Sequence, residues 1–181
     1  MDTQQLSRDL GSIETPVRQK ALAALPAHLQ TVPRTSYKRI AYGLFFFYYH
    51  SDGLTNQAND AEAICGLFTS LSRASFVFFA RTMFEVFKRL WHRIDYHRLN
   101  KYLGLVKDVL RAVYKRIRAE KSQLLFDYWN KYLCAKLFGD DKGELSSAGP
   151  VLRVPVHRGR AVRRCGLQRD VEPAAAVRAR V

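Results

Sequence analysis

Apolar residues recur at helical spacing through most of the first 138 residues. In the clearest run the apolar positions lie 4, 3, 4, 3 and 4 residues apart, which places them on one face of a helix. These positions are Phe76, Ala80, Met83, Phe87, Leu90 and Ile94. A second run with the same spacing follows at Leu99, Leu103, Val106, Leu110, Val113 and Ile117. Neither run alternates with the period of two that a half-buried strand shows, so both predict long amphipathic α-helices.

Helix start and stop signals divide the rest of this segment. Thr15 is predicted to cap one helix, with Pro16 in its first turn, and Pro26 is expected to kink or end that helix. The turn residues Ser51-Asp52-Gly53 separate two further helices. Asp95 predicts the cap of the helix that carries the second apolar run. A last helix is expected over about residues 122–138.

The predicted fold is all-α. The connections between these helices are short, which favours antiparallel packing of consecutive helices. We therefore expect stacked antiparallel helical hairpins in the style of helical-repeat proteins, although the sequence shows no clean repeat period.

Five consecutive aromatic residues, from Phe45 to Tyr49, stand out within one predicted helix. Five successive side chains point to all sides of a helix, so some face the core and others face a neighbouring surface. Single-stranded RNA can stack on exposed rings, whereas rings on a helix packed between two others are buried. Burial is the favoured interpretation, with one ring free to meet a partner protein.

The composition changes abruptly after residue 138. Residues 139–150 are rich in glycine, serine and aspartate and predict a flexible linker. Residues 151–181 contain eight arginines and no lysine, lack aromatic residues and show no sustained period, so a disordered basic tail is expected. The predicted helical domain is therefore residues 1–138.

The overall charge narrows the class of partner. The 181 residues include 30 Lys and Arg against 16 Asp and Glu, a net charge of +14. Self-repulsion of this size does not stabilise a fold, so a polyanion is expected, either nucleic acid or an anionic membrane surface. The longest apolar run, Ile40 to Tyr49, has about half the length of a membrane-spanning helix, and no signal-peptide pattern is present. Cys65, Cys134 and Cys165 show no metal-ligand spacing and fit a reducing compartment.

Basic residues form a line on the helix of the second apolar run. We name Lys107, Arg111, Lys115 and Arg118 the basic stripe, and their spacing of 4, 4 and 3 places them on one helix face. Lys101 is predicted to extend it. Asp108 is the only acid between Lys101 and Arg118. These five cations are candidate contacts to RNA phosphates, and the alternative interpretation is a solvated face.

Motifs that carry catalysis are absent from the sequence. It has no Gly-rich phosphate loop, no paired-cysteine motif and no His-Glu-x-x-His. His92 and His97 lie on two different predicted helices, which is poor geometry for a shared metal ion. Asp52 and Asp95 each stand where a helix cap is expected, which explains both carboxylates without catalysis. We therefore predict no catalytic residue, no cofactor and no metal site.

Several blocks of sequence resemble one known family. Residues 91–102 read Trp-His-Arg-Ile-Asp-Tyr-His-Arg-Leu-Asn-Lys-Tyr, and Gly43-Leu44-Phe45, Ser51-Asp52 and Gln57 lie upstream. In this order they resemble the motifs of the ribosomal RNA-processing protein 1 family, and residues 6–22 are similar to its first helical hairpin. Asn100 stands where the family has an acid, and the tail also departs from the family. Structural roles are expected for Ser51, Asp52, Trp91, Ile94, Asp95, Arg98, Leu99 and Lys101.

The resemblance implies a non-enzymatic protein of the eukaryotic nucleolus, within the nucleus, that takes part in processing ribosomal RNA precursors. Its expected partners are pre-rRNA and the assembly proteins of a pre-ribosomal particle, with no membrane and no small-molecule substrate. A scaffold in ribosome biogenesis is the leading hypothesis. The alternatives are a helical protein-protein adaptor without direct RNA contact, a peripheral membrane protein with basic amphipathic helices, and, last, an enzyme.

Overall fold

The computed structural model describes residues 2–138, which form a stack of seven α-helices. The helices are α1 (Thr3–Leu10), α2 (Thr15–Thr31), α3 (Tyr37–Tyr49), α4 (Leu54–Ser70), α5 (Arg73–Leu90), α6 (Tyr96–Ala119) and α7 (Gln123–Tyr132). Single 3₁₀ turns precede α3 and follow α5, and a π-helical turn follows α7. No strand occurs among the described residues, so the all-α prediction is confirmed. The predicted linker (139–150) and tail (151–181) lie outside the described residues.

Helices two apart in sequence pack side by side and run parallel. At one end of α4 and α6, Lys101 Nζ donates a hydrogen bond to the carbonyl of Ser51, and at the other end Arg116 Nη2 donates to the carbonyl of Leu71 at 3.2 Å. The pair α5 and α7 is held in the same way: Arg73 bonds the α7 cap at its start, and Lys88 Nζ bonds a carbonyl beyond the end of α7. The result is one layer of α1, α3, α5 and α7 and a second layer of α2, α4 and α6.

Consecutive helices belong to opposite layers and run antiparallel. The hydroxyl of Thr3, at the start of α1, lies 3.0 Å from Nε2 of His28 near the end of α2. Arg18, near the start of α2, donates to the carbonyl of His50 at the end of α3. The predicted stack of antiparallel hairpins is thus confirmed.

The aromatic block of α3 packs into the core, and part of it contacts the second layer. Phe45, Phe47 and Tyr48 are buried, and the two remaining rings are partly buried against the core. The Phe45 ring stacks on Tyr102 of α6 with a centroid distance of 4.7 Å, and the Tyr102 hydroxyl donates to the Phe45 carbonyl at 2.7 Å. Burial was therefore the right interpretation, and its physical reason is that these rings join the layers.

Gly43 allows α1 to approach α3 closely. A Cβ at this position would lie 3.0 Å from the carbonyl oxygen of Ser7 and 3.0 Å from a methyl group of Leu10. A larger side chain would have to push α1 away, because one of these neighbours is backbone. The Gly-Leu-Phe block is thus explained by packing.

The structure corrects two local predictions and decides part of a third. Pro26 does not end its helix, because α2 continues to Thr31, and the kink stays a prediction. The residue before α2 is Glu14, so Thr15 is the first helical residue and not the cap. Leu103 is 38% exposed, although the second apolar run placed it on the buried face. The buried residues of α6 are Tyr102, Leu105, Val106, Val109, Val113 and Ile117, a face rotated toward the rings of α3.

Among the described residues, no helix combines the length and the apolar character that crossing a membrane requires.

Candidate nucleic-acid interface

The basic stripe lies on α6 opposite its buried face. All four of its side chains are exposed. Among the described residues the basic stripe forms one ion pair, which joins Arg111 Nη1 to Asp108 Oδ1 at 3.1 Å. These two side chains are 66% and 45% exposed, and such a pair holds its charges weakly in water. Lys107, Lys115 and Arg118 therefore present charge that the fold does not neutralise.

Lys101 is placed differently from the basic stripe. Its ammonium group is half-buried and donates hydrogen bonds to the carbonyl oxygens of Tyr49, at 3.0 Å, and Ser51. The ammonium also lies 5.3 Å from the centroid of the Tyr48 ring. Burial lowers the pKa of Lys101, and nearby Asp52 partly opposes that shift. Because this charge is turned toward the α3–α4 turn, we leave Lys101 out of the proposed phosphate contacts.

Asp95 caps the start of α6, as predicted. Its Oδ1 accepts the backbone N–H of Arg98 at 2.9 Å, and its other oxygen pairs with the Arg98 guanidinium. The hydrogen bond from that guanidinium is the main cause of the lowered pKa of Asp95. The guanidinium carbon also lies 4.2 Å over the ring of Tyr49 on α3. Cap, ion pair and ring contact together attach the start of α6 to the end of α3.

Asp52 is not a cap, which corrects the prediction from sequence. Gly53 occupies the position before α4 with φ of 80°, a left-handed conformation that glycine adopts without strain. This conformation leaves Asp52 one residue too early to cap the helix, and its carbonyl instead accepts a bond from the Asn56 side chain at 3.0 Å. Asp52 itself is exposed, whereas Ser51 is buried.

The start of α6 and the α3–α4 turn form a junction that contains several of the family-motif residues. Trp91 is buried in the 3₁₀ turn after α5, and Ile94 and Leu99 pack partly buried against the core. Arg98 and Lys101 reach the α3–α4 turn from the start of α6. The structure therefore brings the two motif blocks together, about 45 residues apart in sequence.

Arg116 has a role that charge counting did not reveal. Its guanidinium donates to the carbonyls of Phe68, Thr69 and Leu71, the unsatisfied carbonyl groups at the end of α4. It also pairs with Glu120 at 2.7 Å. In the sequence Arg116 is one more cation near the end of α6. Only the fold shows that it satisfies the carbonyl groups at the end of α4.

The described residues hold no group of His, Cys, Asp and Glu arranged to bind a metal ion. His92 lies on the 3₁₀ turn after α5, and His97 lies on α6.

Two layers of parallel helices and a cationic outer face define a helical-stack protein with a positively charged surface. Residues 1–148 match the family described as nucleolar protein Nop52, and the chain belongs to this family. The resemblance found in the motif blocks is thereby confirmed, and the protein is one of the nucleolus, within the nucleus. The family places it in ribosome biogenesis. No curated protein matches the chain.

Proposed function

We propose that this chain is a non-catalytic scaffold of a pre-ribosomal particle that holds precursor ribosomal RNA by its phosphates. The observation that carries the proposal is the basic stripe, which has three cations without an acidic partner among the described residues. Contacts to phosphates position a protein on RNA without reading its sequence. A rigid helix that presents such cations can hold a precursor in a fixed shape while other proteins cut it.

The stripe suits this role because the fold holds the backbone of α6 in place. Six residues of α6 are buried against the rest of the stack, and the start of α6 is tied down by Asp95, Arg98 and Lys101. The cations therefore project from a surface that does not need to order itself on binding, which lowers the entropic cost of association.

The proposal is tested by following a tagged chain through a density gradient of nuclear extract. We expect it to sediment with particles that contain pre-rRNA and to crosslink directly to that RNA. Loss of the protein should leave unprocessed precursor. A chain found only in light fractions, without crosslinked RNA, would contradict the proposal.

A second candidate is a protein-protein adaptor, and a separate observation favours it. Ile13, Leu54 and Tyr96 are 86%, 86% and 85% exposed. Ile13 lies in the turn before α2, and Leu54 and Tyr96 are the first residues of α4 and α6, so all three stand at one edge of the stack. Large exposed apolar side chains in a row are typical of protein contacts.

The adaptor makes a different prediction from the RNA scaffold. Purified protein would ignore RNA, and specific protein partners would remain bound after nuclease treatment. Changing Ile13, Leu54 and Tyr96 to serine would release those partners, whereas changing the basic stripe would not.

A further inference from the structure

Three turns of the chain meet at the edge of the stack opposite to Ile13, Leu54 and Tyr96. The rings of Tyr37, at the start of α3, and Phe79 of α5 are 5.4 Å apart. Arg73, the first residue of α5, donates to the capping hydroxyl of α7 at 2.7 Å. Arg116 joins the end of α6 to the α4–α5 turn. The α2–α3, α4–α5 and α6–α7 turns therefore form a row.

This row of turns is strongly cationic. We name its exposed basic side chains the turn edge, and they are Arg34, Lys38, Arg39, Arg73 and Lys121. Over residues 29–39, 67–79 and 115–123 the single acid is Glu120, and Arg116 holds it. None of the five turn-edge cations forms an ion pair within the described residues.

The turns of the opposite edge are balanced in charge. Its three turns, residues 9–18, 48–57 and 90–101, contain four acids and four Lys or Arg. Three of those four cations bond carbonyl groups or Asp95 within the fold. The turn edge thus carries five exposed cations with no unpaired acid in its three turns, and it adjoins the basic stripe at Arg118.

Three of the five turn-edge cations stand where the helix dipole does not favour them. The start of a helix carries partial positive charge, so acids are favoured in the first turn and cations are disfavoured. The first turns of α3, α5 and α7 contain no acid. Lys38 and Arg39 stand near the start of α3, and Arg73 begins α5. An external anion is the natural explanation for cations in these positions.

An open hollow of about 510 Å³ lies at the α3 end of the turn edge. Its lining offers two cations, two hydroxyl groups and one ring, from Lys38, Arg39, Thr35, Ser36 and Tyr42. Cations and hydroxyls bind phosphate oxygens, and an aromatic ring can stack on a base. This combination fits one nucleotide of a single strand.

We propose that the turn edge is a second RNA-contact surface that takes a single-stranded segment adjoining the RNA on the basic stripe. The segment leaves the stripe at Arg118, passes Lys121 and Arg73, and reaches the hollow at Lys38. The path of this RNA segment from Lys121 to Lys38 spans two helix spacings, which is on the order of 20 Å. The inference rests on the proposed function, because it takes the ligand to be precursor RNA.

The test combines Arg34→Gln, Lys38→Gln and Lys121→Gly in the full chain. These side chains make no hydrogen bond or ion pair within the described residues. Lys121 has φ of 48°, a left-handed conformation that glycine adopts without strain. The matched control removes three exposed cations elsewhere: Lys20→Gln, Arg89→Gln and Lys131→Gln. Binding of an oligouridine of about 20 nucleotides is measured against salt.

We expect the turn-edge variant to flatten the log-log salt dependence by roughly two units and the control to leave it unchanged. Both variants should keep the unfolding midpoint of the parent chain. Equal slopes for the two variants would overturn the inference, whether the slope falls in both or in neither. A turn-edge variant that loses binding to polyglutamate, but not to RNA, would also overturn it in favour of an acidic protein partner.

The failure of the proposed function looks different. If the parent chain itself binds no RNA, both proposals fall. In another outcome the parent chain binds RNA, the basic stripe contributes to the salt dependence, and the turn-edge variant behaves like the control. The scaffold proposal then stands, and the proposal of a second RNA-contact surface falls.

Discussion

Changing Lys107, Arg111 and Lys115 together to alanine should weaken RNA binding roughly 100-fold at about 0.15 M salt and flatten its log-log salt dependence by roughly two to three units. The physical reason is the release of counterions from each phosphate that a cation neutralises. These side chains are exposed on the outer face of α6 and pack against nothing in the core, so the fold should be unaffected. The measurement is a titration of labelled RNA at several salt concentrations.

Two controls sharpen this experiment. The variant with Lys20, Arg89 and Lys131 replaced removes the same charge from other surfaces and should leave the slope unchanged. Asp108→Asn removes the acid that pairs with Arg111 and should strengthen RNA binding slightly. A triple variant whose slope equals that of the parent chain would exclude the basic stripe from RNA binding.

Changing Lys101 to alanine should lower the free energy of unfolding by about 2–3 kcal/mol and leave the salt dependence of RNA binding unchanged. The ammonium donates to two carbonyl oxygens of the α3–α4 turn, and its removal leaves both without that partner. It also removes the contact between this charge and the Tyr48 ring. Urea denaturation of the full chain measures the effect.

The control for this prediction is Lys107→Ala. That exposed lysine makes no bond to the described residues, so its replacement should change the free energy of unfolding by less than about 0.5 kcal/mol. Suppose instead that Lys101→Ala unfolds at the same urea concentration as the parent and weakens RNA binding. The ammonium would then act on RNA, and its assignment to the junction would be wrong.

The helix faces could be predicted where spacing and side-chain size agreed. On α5 the spacing predicts the buried face, and the structure buries the five residues of the run that lie on this helix. The sixth, Ile94, lies beyond the end of α5 and is partly buried. On α6 the residues Tyr102, Val106, Val109 and Val113 have helical spacing as good as that of the predicted run. Burial of the large Tyr102 ring against α3 decides between the two faces, and spacing along one helix contains no information about α3.

The candidate site was predictable only in part, for a related reason. Basic residues four apart on one helix reveal the stripe, because all of them lie on the same element. Lys101 and Arg116 carry the same charge, yet their partners are carbonyls of distant turns that the sequence does not mark as unsatisfied. The turn edge could not be predicted from the sequence, because its cations come from three turns that only the fold brings together.

Acetylation of lysines, compared between the intact pre-ribosomal particle and the free chain, shows which cations the particle covers. If the unpaired charge of the stack faces RNA, Lys107 and Lys115 should be protected in the particle and become reactive after RNase treatment, while exposed Lys20 stays reactive throughout. Equal reactivity of Lys107 and Lys115 in the particle and in the free chain would contradict the account.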